Sequence, residues 1–325
     1  MTETREILDV PLRPIAGSRF QPTGFPDLGA ATFDKPHLNP DTGEISWVSA
    51  LLVESAQSVG NHLEATGWDR GVQEPVPSVA GLPYVAVCDE DGTYLTSSRT
   101  EPHRLSSAFV REAELDGVPM RAVLRERLGL QEDRPLAPRE IARALFALDP
   151  FCLIHGLFLS DKELPGQPKV ARAVTGFVEA EDVRAAHSGG VKFDDVRHKN
   201  VEGGGSTEGY GTIPFHRTEY AAARIVASFV LDLAQIRAYG LDVVATDLLA
   251  DLARWEIRTL LDGGLRLRTA CDLEPLDGNV RLRNGSPLPS MDELDQRVRT
   301  GIDAVEPLLD RREPWVVTWK PTKGR

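Results

Sequence analysis

The chain has 325 residues, of which 41% are hydrophobic and 26% charged, a composition typical of a soluble globular protein with one large or two ordinary domains. The formal net charge of −12 taken alone argues against a free nucleic-acid-binding protein, but it does not exclude one that has a basic groove within an acidic exterior. Cys88, Cys152 and Cys271 lie too far apart to predict a zinc site or a disulfide framework. The polar N-terminus and the absence of a long apolar run predict a cytoplasmic protein.

The N-terminal third of the chain alternates loops with short periodic segments. The first forty residues are rich in Pro and Gly and predict ordered loop around a short strand. Residues 54–64 predict a helix, with Gln57 and Asn61 near its start, where backbone N–H groups are free. Further strands are predicted at residues 84–88, 152–159, 172–180 and 225–233 (the last with a helix as the alternative), and helices at 121–129, 138–148 and 247–261.

Residues 187–211 contain seven glycines, several charges and few apolar side chains. This composition predicts a long mobile loop or a hairpin, of the kind that is usually functional or disordered. Lys192 lies at its start, and His216 and Arg217 follow it directly.

Residues 263–273 are the most informative stretch. After the turn Gly263-Gly264 the sequence alternates strictly, which predicts one half-buried strand whose open face begins with Arg266 and Arg268. Arginine forks onto phosphate oxygens, and glycine lets backbone N–H groups approach them. The functional interpretation is a phosphate or RNA contact; the alternative is a solvent-facing strand with its arginines paired to acids such as Asp272.

The C-terminal region predicts one helix and one strand. Ser290 with Glu293 three residues later fits a capping box, and the helix should stop near Pro307. Residues 315–319 favour a last short strand. Strands that alternate with helices through uneven loops predict an α+β fold with large insertions.

The common catalytic signatures for hydrolases, metalloproteases, P-loop proteins and dinucleotide-binding proteins are missing. The segment 96–105 combines hydroxyl groups with Arg99, His103 and Arg104, which indicates either an anion or RNA contact surface or a solvated loop before a helix. Asp194 and Asp195 could form a metal or acid–base site, but paired carboxylates in a polar loop are usually solvated. No metal site and no cofactor are predicted.

Seven segments together resemble one protein family. They are QPTGFPDLG (21–29), LVESAQS (52–58), EPHRL (101–105), HGLFLS (155–160), SGGVK (188–192), IPFHRTE (213–219) and LRLRTAC (265–271). In this order they look like the backbone subunit of the type I-G (formerly I-U) CRISPR effector complex, a member of the repeat-associated mysterious protein superfamily. The resemblance runs from about residue 22 to about residue 273.

This resemblance implies a single elaborated domain over residues 1–325, with a ferredoxin-like, RNA-recognition-motif core and large finger and thumb insertions. Residues 186–212 are the candidate thumb, and 286–325 form a C-terminal helix and tail. The family has no catalytic residues that map onto this chain. The candidate RNA-binding residues are Gln57, Asn61, Arg99, His103, Arg104, Lys192, His216, Arg217, Gly263, Gly264, Arg266 and Arg268.

We therefore expect a non-catalytic subunit that binds CRISPR RNA and stacks head to tail along it. Its expected partners are the CRISPR RNA, the target DNA strand through the guide, further copies of itself, and the large and RNA-end-binding subunits of a Cascade complex. The alternative is a metal-dependent endoribonuclease that cuts target RNA with a loop aspartate, Asp194 or Asp195.

Overall fold

The structure is a computed structural model that describes residues 3–25, 27, 29–192, 213–310 and 313–321. Its strands are β1 Arg5–Pro14, β2 Gly24–Phe25, β3 Gly29–Ala30, β4 Thr32–Leu38, β5 Ile45–Glu54, β6 Trp68–Asp69, β7 Glu74–Pro75, β8 Val85–Cys88, β9 Tyr94–Ser97, β10 Glu114–Leu115, β11 Val118–Pro119, β12 Leu157–Phe158, β13 Lys169–Val170, β14 Val174–Lys192, β15 Ile213–Asp232, β16 Leu265–Arg268, β17 Cys271–Pro275 and β18 Trp315–Thr318. Its α-helices are α1 Ala56–Ala65, α2 Ala108–Arg111, α3 Met120–Arg127, α4 Pro138–Leu148, α5 Phe151–His155, α6 Leu233–Ala238, α7 Val243–Asp262 and α8 Met291–Ala304.

The main sheet has the strand order β16-β17-β1-β15-β14-β5-β4, with every neighbouring pair antiparallel. Within it, β17-β1-β15-β14 together with α1 and α7 reproduces the ferredoxin-like order, in which the fourth core strand lies next to the first and the third next to the second. The hairpin β4–β5 is inserted before α1, and residues 66–173 are inserted after it. The predicted α+β class with a ferredoxin-like core and large insertions is confirmed.

The central strand β1 was missed by the sequence interpretation, which expected mostly loop. Leu8, Val10 and Leu12 alternate inward and are almost completely buried. Pro11 and Pro14 hide this pattern, because proline is unusual inside a sheet. The burial of alternate residues is nonetheless what places β1 between β15 and β17.

The hairpin β14–β15 extends both predicted strands well beyond their expected ends. Val178 and Ala227 face each other on the buried side and have no exposed surface. Gly176 lies opposite Phe229, and a Cβ atom at this position would lie 2.6 Å from Cδ1 of Phe229 and 3.0 Å from Cγ1 of Val59 in α1. The glycine is therefore required for close packing of α1 on the sheet.

Side-chain caps begin the helices that the sequence predicted best. Ser55 accepts a hydrogen bond from the backbone N–H of Ser58 at the start of α1. Ser290 accepts one from Glu293 N–H at the start of α8, and the helix ends at Ala304, as the capping box and Pro307 predicted. The predicted helices at 121–129, 138–148 and 247–261 correspond to α3, α4 and α7.

The insertion after α1 carries a second sheet of order β11-β10-β18-β8-β9. The C-terminal strand β18 pairs parallel with β8, so the end of the chain closes back onto this insertion. The strand predicted at 152–159 is wrong for residues 152–155, and only Leu157–Phe158 form a strand, β12. Phe151–His155 form the helix α5, where Asp149 Oδ1 accepts a hydrogen bond from Phe151 N–H. Every residue of α5 is buried, so the run has no periodicity that would separate helix from strand.

The core contains a buried histidine. His155 is 2% exposed, and its Nε2 atom lies 2.9 and 3.0 Å from the carboxylate oxygens of Glu256, so it is a hydrogen-bonded core residue. Of the candidate thumb 186–212, residues 186–192 are the end of β14, and 193–212 lie outside the described residues. The single-domain division and the C-terminal segment 286–325 stay predictions. Among the described residues, no helix has the length and apolarity that a membrane span requires.

The close contact at Gly176 gives a stability prediction. We expect Gly176→Ala to lower the free energy of unfolding by about 1–3 kcal/mol, because the added methyl group clashes with Phe229 and Val59. Gly278→Ala is the control, since a Cβ atom there has no neighbour within 4 Å. Urea unfolding measures both, and equal midpoints for the two variants would contradict the packing role of Gly176.

Candidate nucleic-acid interface

The glycine turn connects α7 to an arginine-bearing hairpin. Gly263 ends the helix, and Gly264 has φ +78°, a left-handed conformation that glycine adopts at low cost. Leu265 and Leu267 are buried beyond it, whereas Arg266 is exposed and makes no ion pair with any described residue. The alternation predicted for this segment therefore holds over residues 265–268.

The same segment does not continue as one strand to residue 273. It turns at Thr269 and Ala270, and Ala270 has φ +59°. The second strand, β17, returns antiparallel so that Arg266 lies opposite Asp272. The prediction of a single strand over residues 265–273 is therefore wrong. Apolar residues at every second position also fit a hairpin whose two-residue turn keeps Leu265 and Leu273 on the same buried face.

Arg268 is half-buried, and its guanidinium binds groups inside the protein. Its Nη1 atom donates to the carbonyl oxygens of Gln21 and Val53, each at 3.1 Å, and Nη2 contacts the carboxylate of Glu54. The Glu54 side chain has no exposed surface. Burial lowers the pKa of Arg268 and raises the pKa of the neighbouring Cys271 thiol to about 11. The structure therefore gives Arg268 an internal role.

Arg99 and Arg104 are also held in internal ion pairs. Arg99 Nε lies 2.8 Å from Asp149 Oδ1, and its guanidinium stacks 3.6 Å from the ring centre of Phe151. Burial raises the pKa of Asp149, and the charge of Arg99 opposes that shift. Arg104 contacts Glu64 at 2.6 and 2.8 Å. Arg99 thus connects two parts of the insertion, and Arg104 connects the insertion to α1. For these two arginines the structure shows internal ion pairs, which differ from both the anion contact surface and the solvated loop that the sequence suggested.

Three other candidates lie on the surface. Gln57 and Asn61 are exposed on α1, and His103 is exposed in the loop after β9. Asn61 also lines a cavity of about 480 Å³, to which Arg99 contributes as well. The sequence missed the other walls of this cavity, Trp68, Arg70 and Tyr94, because they come from separate segments with no shared motif.

The last group lies on a projecting arm, which we define as residues 183–192 of β14 and 213–222 of β15. Lys192 and His216 are exposed on it. Arg217 Nη1 lies 3.8 Å from Glu219 Oε1, and Arg217 Cζ lies 5.3 Å from the ring centre of Phe215. The last pairing of β5 with β14 is at Glu181, and β1 pairs with β15 only as far as Ile225. The two strands of the arm therefore pair mainly with each other. The arm is joined to the rest of the protein by a bridge between Phe20 and Tyr220, side-chain hydrogen bonds between Ser49 and Val183, and an ion pair between Arg19 and Glu219.

The charge balance of the arm is opposite to that of the whole chain. It carries Arg184, Lys192 and Arg217 against one carboxylate, Glu219, whereas the chain has a formal net charge of −12. Within the described residues, no group of three or more His, Cys, Asp or Glu side chains could hold a metal ion. Asp194 and Asp195 lie outside the described residues.

The ferredoxin-like core with its projecting hairpin defines the class of fold, and sequence comparison gives the family. Residues 7–185, more than half of the chain, match the family described as "CRISPR-associated protein GSU0053". The chain belongs to this family of CRISPR-associated proteins.

No curated protein matches the chain. Among solved structures, a chain of a "CRISPR RNA-guided surveillance complex, pre-nicking" is similar at 15% sequence identity and a TM-score of 0.37, over 83% of this chain and 73% of that chain.

The two arginines of β16 are expected to differ in their effect on stability. Arg268→Ala leaves the buried Glu54 carboxylate without its cation and should cost about 3–5 kcal/mol of unfolding free energy. Arg266→Ala, two residues away and exposed, should change it by less than about 0.5 kcal/mol.

Urea unfolding of the two variants checks this difference. Combining Arg268→Ala with Glu54→Gln should recover part of the loss, because the stranded charge is removed. If Arg268→Ala unfolds at the same urea concentration as the parent, the internal role of Arg268 is refuted.

Proposed function

We propose that this protein is a non-catalytic, CRISPR RNA-binding backbone subunit of a type I surveillance (Cascade) complex, of type I-G, that stacks head to tail along the guide. The observation that carries the proposal is the projecting arm. An isolated two-stranded hairpin is only marginally stable in water, so an arm of this length favours a bound partner. Its positive balance in an acidic chain favours a polyanion as that partner.

The exposed candidates suit a guide-holding subunit. Lys192, His216, Arg217 and Arg266 can contact phosphates, while the amides of Gln57 and Asn61 can contact phosphate or 2′-hydroxyl oxygens. Such contacts leave base edges free, so any spacer can be bound and base pairing with the target DNA supplies the specificity. Arg99, Arg104 and Arg268 serve this function indirectly, by holding the framework.

The proposed stacking along RNA uses the arm as a contact between neighbouring copies. An arm that reaches over a neighbouring copy makes a heterologous contact, which repeats into a helical filament unless the rotation closes a ring. The expected partners are further copies of this chain, the large subunit and the RNA-end-binding subunit. The acidic remainder of the surface would limit stray binding to other nucleic acids.

The RNA-binding proposal predicts salt-sensitive binding with little spacer preference. The logarithm of the affinity should fall linearly with the logarithm of the salt concentration, and Lys192→Ala or Arg266→Ala should each reduce that slope by about 0.7, the value for one contact to single-stranded phosphate. Arg299→Ala is the control, because Arg299 is exposed on α8 and forms no ion pair with a described residue. Fluorescence anisotropy with two unrelated spacers measures affinity and slope; no loss of RNA binding in the Lys192→Ala, Arg266→Ala double variant would refute the proposed contacts.

The non-catalytic part of the proposal has its own test. Complementary RNA incubated with the RNA-loaded protein and Mg²⁺ should remain full length on a denaturing gel. Regularly spaced cuts that disappear in Asp194→Asn or Asp195→Asn would establish the endoribonuclease alternative instead.

A further inference from the structure

The cavity beside α1 is separate from the projecting arm. It has a volume of about 480 Å³, within the range of small-molecule sites. Its walls come from α1, the β6–β7 hairpin, strand β9 and the loop that follows β9.

One wall of the cavity is aromatic. Tyr94 is half-buried, and its ring lies nearly parallel to that of Trp68, at 25° and 6.2 Å between centres. Tyr84 packs edge-on against Trp68 at 5.5 Å. Trp68 and Tyr94 both line the cavity, so their rings offer an aromatic surface to a ligand.

The charged residues that line the cavity differ in whether they form ion pairs. Four charged side chains line it: Glu64, Arg70, Arg99 and Glu101. Glu64 is paired with Arg104, and Arg99 with Asp149. Among the described residues, Arg70 is therefore the lining cation, and Glu101 the lining carboxylate, that form no ion pair.

Hydrogen bonds hold the side chain of Glu101 and the backbone turn that carries Arg70. Glu101 accepts hydrogen bonds of 2.7 Å from the hydroxyl groups of Thr96 and Ser107. The turn that carries Arg70 is fixed by Gly71 N–H donating to Asp69 Oδ1 at 2.7 Å and by the Gln73 amide donating to Arg70 O at 3.0 Å. Gln73 has φ +60°, a costly conformation for a residue other than glycine, so the turn is closely specified.

We propose that this cavity binds a nucleoside phosphate, with its base stacked on Tyr94, base N–H or ribose hydroxyl groups donating to Glu101, and its phosphate on Arg70. An aromatic face, a carboxylate and an unpaired guanidinium are the three complements that such a ligand needs. The ligand can come from two sources, a free nucleotide or an unstacked nucleotide of bound RNA. The second source rests on the proposed function, and the first does not.

The first experiment is calorimetric titration of the RNA-free full chain with nucleoside monophosphates and with the matching nucleosides. The parent should bind the monophosphates more tightly, and Arg70→Ala should weaken monophosphate binding about tenfold while leaving nucleoside binding unchanged. Tyr94→Leu should weaken both ligands, and Arg299→Ala neither. Because Arg70 is exposed, its variant is expected to fold, which an unchanged urea midpoint verifies.

The second experiment uses RNA that carries 4-thiouridine at successive positions, crosslinked to the RNA-loaded protein and mapped by mass spectrometry. Adducts on the peptide that contains Tyr94, lost in Tyr94→Leu, establish the RNA source; saturable binding of free monophosphates that depends on Arg70 establishes the free source. The absence of both overturns the proposal.

The two failures are distinguishable. Salt-sensitive RNA binding that depends on Lys192 and Arg266, without any signal at the cavity, leaves the proposed function intact and removes this site. If the parent retains no RNA, the proposed function fails and the calorimetric titration alone decides whether the cavity binds a nucleotide.

Discussion

The buried ion pair between Glu54 and Arg268 is the interaction on which the candidate interface depends. Glu54 ends β5 with no exposed surface, so its charge requires a cation inside the protein. Arg268 supplies it from the end of β16 and also binds the carbonyl oxygens of Gln21 and Val53. One guanidinium thus connects the insertion after β1, the start of α1 and the last hairpin of the core. This connection fixes the position of β16 and, with it, the exposed Arg266.

The arginines of this protein divide into two groups by burial. Arg99, Arg104 and Arg268 neutralise buried or half-buried carboxylates and stabilise the framework. Arg266, and Arg184 and Lys192 on the projecting arm, are exposed on that framework, whereas Arg217 of the arm is half-buried beside Glu219. An acidic chain can therefore present a local basic surface, because some of its arginines form ion pairs with buried carboxylates whereas others are exposed on projecting strands. The cationic residues among the proposed RNA contacts all belong to the second group.

The ferredoxin-like core separates two surfaces of different chemistry. The projecting arm extends β14 and β15 beyond the strands that flank them, and it offers an elongated surface for a polymer. The cavity lies between α1 and the insertion that follows it, where the aromatic ring of Tyr94 and the charges of Arg70 and Glu101 are suited to a single nucleotide unit. Both surfaces are built on insertions or extensions, whereas the core strands only position them, as is usual for functions carried by a common fold.

The sequence by itself determined the local elements with strong periodicity or caps. Helices α4, α7 and α8, the strand alternation at residues 265–268 and the α+β class all follow from side-chain spacing and capping residues. It missed β1, whose prolines mask its alternation, and it misassigned α5, whose uniformly apolar run has no period. Only the tertiary structure decided which arginines are free. Arg268 and Glu54 lie more than two hundred positions apart, and the cavity joins four separate segments, so only folding brings the members of each site together.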